Sequence, residues 1–131
     1  MKRNEFFKTS TASVVGLAVA SLTSCSESET ELKQGEIQHT VMFKLASGKE
    51  GEKTTQFLDD AKRILSAIGS VRNFRVYKQV SKKTDFDFQF TMFFQDQEAY
   101  NTYNNHPDHV AFVKERWMKE VTSFQEADFV L

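Results

Sequence analysis

Apolar and polar side chains alternate from Glu36 to Ala46. Ile37, His39, Val41, Phe43 and Leu45 fall on one side, and Gln38, Thr40 and Lys44 on the other. A period of two sends successive side chains to opposite faces, so this stretch predicts a strand. The period then changes. Phe57, Leu58, Ala61, Ile64, Leu65 and Ile68 recur at helical spacing, which predicts an amphipathic helix ended by Gly69. Val71–Val80 is rich in β-formers but alternates loosely. After a polar turn at Ser81–Asp85, Phe86, Phe88, Phe90, Met92 and Phe94 alternate with Asp87, Gln89 and Thr91. That is the clearest strand in the chain, and the short turn predicts antiparallel pairing with the one before it. Gln95–Asn105 reads as a short helix with Ala99, Tyr100 and Tyr103 on one side. His106 precedes the only proline and is pushed out of helical geometry, and Pro107 suits the first position of a further helix. Val110, Val113, Trp117 and Val121 predict the buried face of that helix, and Phe124–Leu131 a last strand.

The order β-α-β-β-α-β, with both helices on one face of a four-stranded antiparallel sheet, predicts a ferredoxin-like α+β sandwich. Residues 36–131 form that domain. An exposed phenylalanine-rich strand would invite aggregation, so a second copy covering the open sheet face is expected.

The first 24 residues read as an address rather than as fold. Lys2, Arg3 and Lys8 give a positive start, and Val14–Leu22 is an apolar run of nine residues. That is about half of what a bilayer span needs, and it fits the core of a signal peptide. Leu22-Thr23-Ser24-Cys25 resembles a bacterial lipobox, in which Cys25 is lipidated and becomes the first mature residue. Arg3-Asn4-Glu5-Phe6-Phe7-Lys8 resembles a twin-arginine export motif with Asn in place of the second Arg. Residues 25–35 are polar and acidic and read as a flexible tether. Their acidic run resembles surface-export signals, so the expected place is the bacterial cell envelope, facing periplasm or cell surface.

Composition narrows the chemistry. The chain has 131 residues with net charge −1, which removes the simplest nucleic-acid reading. Its single cysteine excludes an intrachain disulfide and a cysteine zinc cage. A lipid on Cys25 would also remove thiol catalysis. Three histidines remain. His39, on the apolar face of the first strand, reads as a core histidine bonded to backbone or as a cavity residue. His106-Pro107-Asp108-His109 is more pointed. It places His109 in the first turn of a helix, where the positive helix end favours a neutral, proton-accepting ring. Tyr103 lies close enough upstream to reach the same pocket. A tyrosine that polarises a carbonyl beside a histidine that takes a proton is a workable acid–base pair. The same residues also read as a helix cap and a core tyrosine. His39, His106 and His109 together would be a metal site, but the proline breaks the helix between the last two; no metal or other cofactor is expected.

Gln38-His39-Thr40-Val41-Met42-Phe43-Lys44, Tyr103 to Phe112, and Asp128-Phe129 resemble the stress-responsive dimeric α/β-barrel (Dabb) family. The resemblance implies a ferredoxin-like protomer paired into a barrel-like homodimer. It also implies roles, by analogy with a plant polyketide cyclase of the family. His109 would be the base and Tyr103 its partner, Asp128 would hold the catalytic ring, and His39 would match the first-strand histidine.

These readings converge on an envelope-anchored homodimer with a pocket for a small apolar or carbonyl-containing ligand. His109 and Tyr103 would supply cyclase- or isomerase-like proton abstraction there, with Asp128 behind the base and His39 and His106 lining the pocket. The alternatives are a non-catalytic dimeric ligand-binding or stress-response module, and a metal- or haem-handling barrel. The anchor has a direct check: Cys25→Ser should move the protein from the membrane to the soluble fraction, and a variant that stays on the membrane contradicts lipidation of Cys25.

Overall fold

The structure, a computed structural model, describes residues 30–131. The stretch read as a signal peptide, Cys25 and the first part of the stretch read as a tether lie outside the described residues. The elements are β1 (Ile37–Leu45), α1 (Glu52–Ser66), β2 (Arg72–Lys78), β3 (Phe88–Phe94), α2 (Gln97–Asn105), α3 (Pro107–Phe112), a π-helical turn (Val113–Trp117), α4 (Met118–Glu120) and β4 (Val121–Phe129). The sheet runs β2-β3-β1-β4, and every neighbouring pair is antiparallel. This is the expected ferredoxin-like sandwich, and Leu32–Leu131 form one unit. Among the described residues no helix is long and apolar enough to cross a membrane.

Register explains the core. His39, Val41 and Phe43 on β1 pair with Met92, Phe90 and Phe88 on β3, so one side of the central strands is almost wholly apolar. α1 packs Phe57, Ala61 and Leu65 against that side. Phe57 is fully buried, with its ring 6.0 Å from that of Phe43 and 5.6 Å from that of Phe112. Truncating such a residue to alanine costs about 3–5 kcal/mol. Phe88, Phe90, Met92 and Phe94 are therefore covered by the protomer's own helices. The aggregation argument for a partner does not hold, because the phenylalanine row faces inward.

Two local features depart from the sequence pattern. The loose alternation of β2 comes from a bulge: Arg72 pairs with Phe93 and Arg75 with Thr91, and Asn73 between them has φ 53°. Asparagine tolerates this left-handed geometry better than most residues. The last helix is not continuous either. The π-helical turn adds residues to the helical repeat, so the 3.6-residue pattern fails across it. Val110 is exposed, Phe112 is buried in its place, and Val121 already belongs to β4. Arg116 anchors the turn to α1 through Nη1, 2.6 Å from Asp60, and to α4 through Nε, 2.5 Å from Glu120.

Candidate active site

Between the helix-facing side of the sheet and the α2–α3 segment lies a cavity of about 420 Å³. Val41, Phe90, Met92, Phe112, Trp117 and Phe124 give it apolar walls, and His39, Tyr103, Asn104, His109 and Glu126 bring the polar atoms. Spaces of this size, apolar with a few polar groups, are of the kind that admit small organic molecules.

The His-Pro corner shapes this site. His106 adopts φ −64°, ψ 135°, which ends α2, and Pro107 opens α3. In an unbroken helix the Asp108 N–H would reach back to the Asn104 carbonyl. Here it donates to His106 Nδ1 at 3.1 Å. The Asn104 carbonyl instead accepts from His109 Nδ1 at 3.1 Å. His106 does not line the cavity, contrary to its expected pocket role: its ring is spent on capping α3.

That hydrogen bond fixes the chemistry of His109. A carbonyl only accepts, so Nδ1 carries the hydrogen and a neutral ring keeps its lone pair on Nε2. Burial holds the His109 pKa below the usual histidine range. The Asn104 carbonyl and the Glu126 carboxylate oppose this, and His39 and His106 add to the lowering. The Tyr103 ring lies 4.2 Å from that of His109. Tyr103 is buried, and among the described residues no group hydrogen-bonds its hydroxyl. Burial first, then Tyr100 and Glu126, push its pKa up, so the phenol keeps its proton. It remains a donor facing the cavity.

Asp128 was expected beside His109. It lies beside His39. β1 and β4 pair with His39 opposite Asp128, and residues directly opposite in a sheet share a face. His39 Nδ1 donates to Asp128 Oδ1 at 2.6 Å. The Tyr100 hydroxyl sits 2.7 Å from that nitrogen and donates to the same carboxylate oxygen at 3.2 Å. His39 is thus a satisfied buried histidine, but a carboxylate rather than backbone satisfies it. Tyr100 and Glu126 are the residues the sequence reading missed. Both carried a signal: Tyr100 shares a helix side with Tyr103, and Glu126 falls in the period-two row Phe124, Glu126, Asp128. Among the described residues no group of three or more His, Cys, Asp or Glu is placed to hold a metal ion.

Residues 37–131 match the Stress responsive A/B Barrel Domain. The chain belongs to the Dabb family. It is similar to a Dabb family protein with a ferredoxin-like fold from Mesorhizobium loti at 51% identity, covering 75% of this chain and 98% of that one with TM-score 0.73. A dimeric ferredoxin-like protein of unknown function from Bacteroides fragilis is 22% identical over 75% of this chain and 98% of its own, with TM-score 0.60. A hydroxynitrile lyase from Passiflora edulis is 12% identical over 76% and 95%, with TM-score 0.66. At the last two identities the likeness is one of fold. No curated protein matches the chain.

The lowered pKa of His109 has a consequence for stability. Around and below the ordinary value of 6.5 the unfolded chain binds the proton more readily than the folded one. The folded state therefore loses stability as the pH falls from 6.5 toward the folded value, and the stability is fully present only above 6.5. Urea unfolding at about pH 8 and about pH 5 should show a larger loss for the wild type than for His109→Gln. Equal losses would contradict burial of a neutral ring.

Proposed function

We propose that the cavity binds a small apolar carbonyl compound and that His109 removes a proton beside the carbonyl. The observation that carries this reading is the His109 ring, tied at Nδ1 to the Asn104 carbonyl and packed on a tyrosine whose hydroxyl has no protein partner among the described residues. Nε2 takes the proton, the electron pair of the broken C–H bond moves toward the carbonyl oxygen, and the Tyr103 hydroxyl donates to that oxygen. The proton is then returned to carbon, or to another atom of the same molecule. General base assistance of this kind is worth about 10²–10⁴ in rate. The hydroxynitrile lyase that shares the fold supports the view that this architecture can house catalysis.

In the same reading the protein works at the envelope, held by a lipid on Cys25 and spaced from the membrane by residues 25–35. It pairs with a second copy through the open side of the sheet, where Tyr77 and Phe129 are half-exposed. The dimeric state of the Bacteroides fragilis protein supports this pairing. The apolar walls of the cavity also favour a second reading, a module that holds a ligand without changing it.

The two readings separate with propiophenone in deuterium oxide, followed by proton NMR. The wild type should speed exchange of the protons beside the carbonyl, and His109→Ala should slow it by ~10²-fold or more. Propiophenone that binds but exchanges only at the buffer rate supports the holding module and overturns the catalytic reading.

A further inference from the structure

His39, Asp128 and Tyr100 form a second titratable cluster, and the proton abstraction described above does not use it. Its geometry resembles that of a working histidine more than that of a packing residue. The ring is buried in the row that lines the cavity. Nδ1 is fixed by a 2.6 Å bond to a carboxylate, which orients the ring and leaves Nε2 as the nitrogen that exchanges protons. A third group, the Tyr100 hydroxyl, reaches both partners, and Tyr100 is in turn held by stacking on Phe94 at 4.7 Å and 5°. On the Nε2 side Glu126 Oε1 stands 3.8 Å away, too far for a direct hydrogen bond, so a carboxylate lies near each ring nitrogen but only Nδ1 is bonded to one. Tyr103 comes near both imidazoles, 4.2 Å from His109 and 6.5 Å from His39 between ring centroids. The groups around His39 are therefore Asp128 and Glu126 from β4, Tyr100 and Tyr103 from α2, and His109 from α3.

We propose that His39 is a second proton-transferring residue of the cavity, with Asp128 and Tyr100 as its positioning residues, and that the pair His109/His39 moves a proton between two atoms of one carbonyl compound. The inference rests on the reading of His109 given above and goes further: it makes the reaction an isomerisation. For a ketone with a carbon–carbon double bond one carbon away from the α-carbon, the steps balance. His109 Nε2 takes the α-proton, and the C–H electron pair enters a dienolate whose oxygen accepts from Tyr103. His39 Nε2–H delivers a proton to the far carbon of the double bond, which moves into conjugation. His109 then releases its proton to water and His39 takes one up, so no proton is gained or lost overall.

Allyl phenyl ketone in deuterium oxide reads both steps in one tube, since its isomer, propenyl phenyl ketone, absorbs differently. The wild type should exchange the α-protons and form the conjugated isomer. His109→Ala should lower both. His39→Gln should lower the ratio of isomerisation to exchange by ~10²-fold, and Asp128→Asn should lower that ratio by less. Asp128 is half-exposed, so its variant guards against a folding defect in His39→Gln. The Nδ1–H proton of His39 should resonate far downfield in the wild type and lose that shift in Asp128→Asn, which reads the His39–Asp128 bond, while the ratio of isomerisation to exchange reads the proton transfer. A His39→Gln variant that lowers exchange and isomerisation in proportion, or neither, overturns the proposal. So does a wild type that exchanges without isomerising, and in that case the reading of His109 stands. A wild type that does neither overturns the reading of His109 and the inference with it.

Discussion

The conformational cost of a proline sets the site. Pro107 has no N–H to give a helix, and its ring keeps His106 out of the helical region. One helix therefore ends at Asn105 and another begins two residues later. The break leaves a carbonyl and an N–H to be satisfied near the cavity, and two histidines take them. His106 caps the N–H, and His109 donates to the carbonyl. The hydrogen bonding that repairs a broken helix thus also selects the tautomer of the ring that faces the cavity.

A second constraint comes from the sheet. The inward row of β1 and β3 is so rich in phenylalanine that a polar residue within it must bring its own partner, since an unpaired buried polar group costs about 1–3 kcal/mol. His39 meets this through Asp128, reached across the β1–β4 ladder, and through Tyr100 from the helix layer above. The two imidazoles consequently sit in different company: His109 against a carbonyl and a phenol ring, His39 against carboxylates. Environments that differ in this way let one histidine type play two proton-transfer roles.

Much of this was legible along the chain. The alternation at Ile37–Leu45 and Phe88–Phe94 and the helical spacing around Phe57–Leu65 are local patterns, and local patterns report faces. Proline chemistry gave the corner at His106 and Pro107 for the same reason. The π-helical turn at Val113–Trp117 was not legible, because an inserted residue leaves no signature except the failure of a period, and Val121, read as part of that helix, lies beyond it in β4. The partner of Asp128 was hidden for another reason. His39 and Asp128 are 89 residues apart, and which histidine the carboxylate meets depends on strand register rather than on any nearby residue. Resemblance supplied the residue and the register supplied its contact.

The central claim is that His109, which lines the cavity, keeps a bare Nε2 because the Asn104 carbonyl holds the hydrogen on Nδ1. A long-range proton–nitrogen correlation spectrum of the imidazole rings reads this directly at neutral pH. The account predicts, for His109, a neutral ring with nitrogen shifts of a protonated Nδ1 and an unprotonated Nε2. A ring protonated on Nε2 alone, or on both nitrogens, would contradict it.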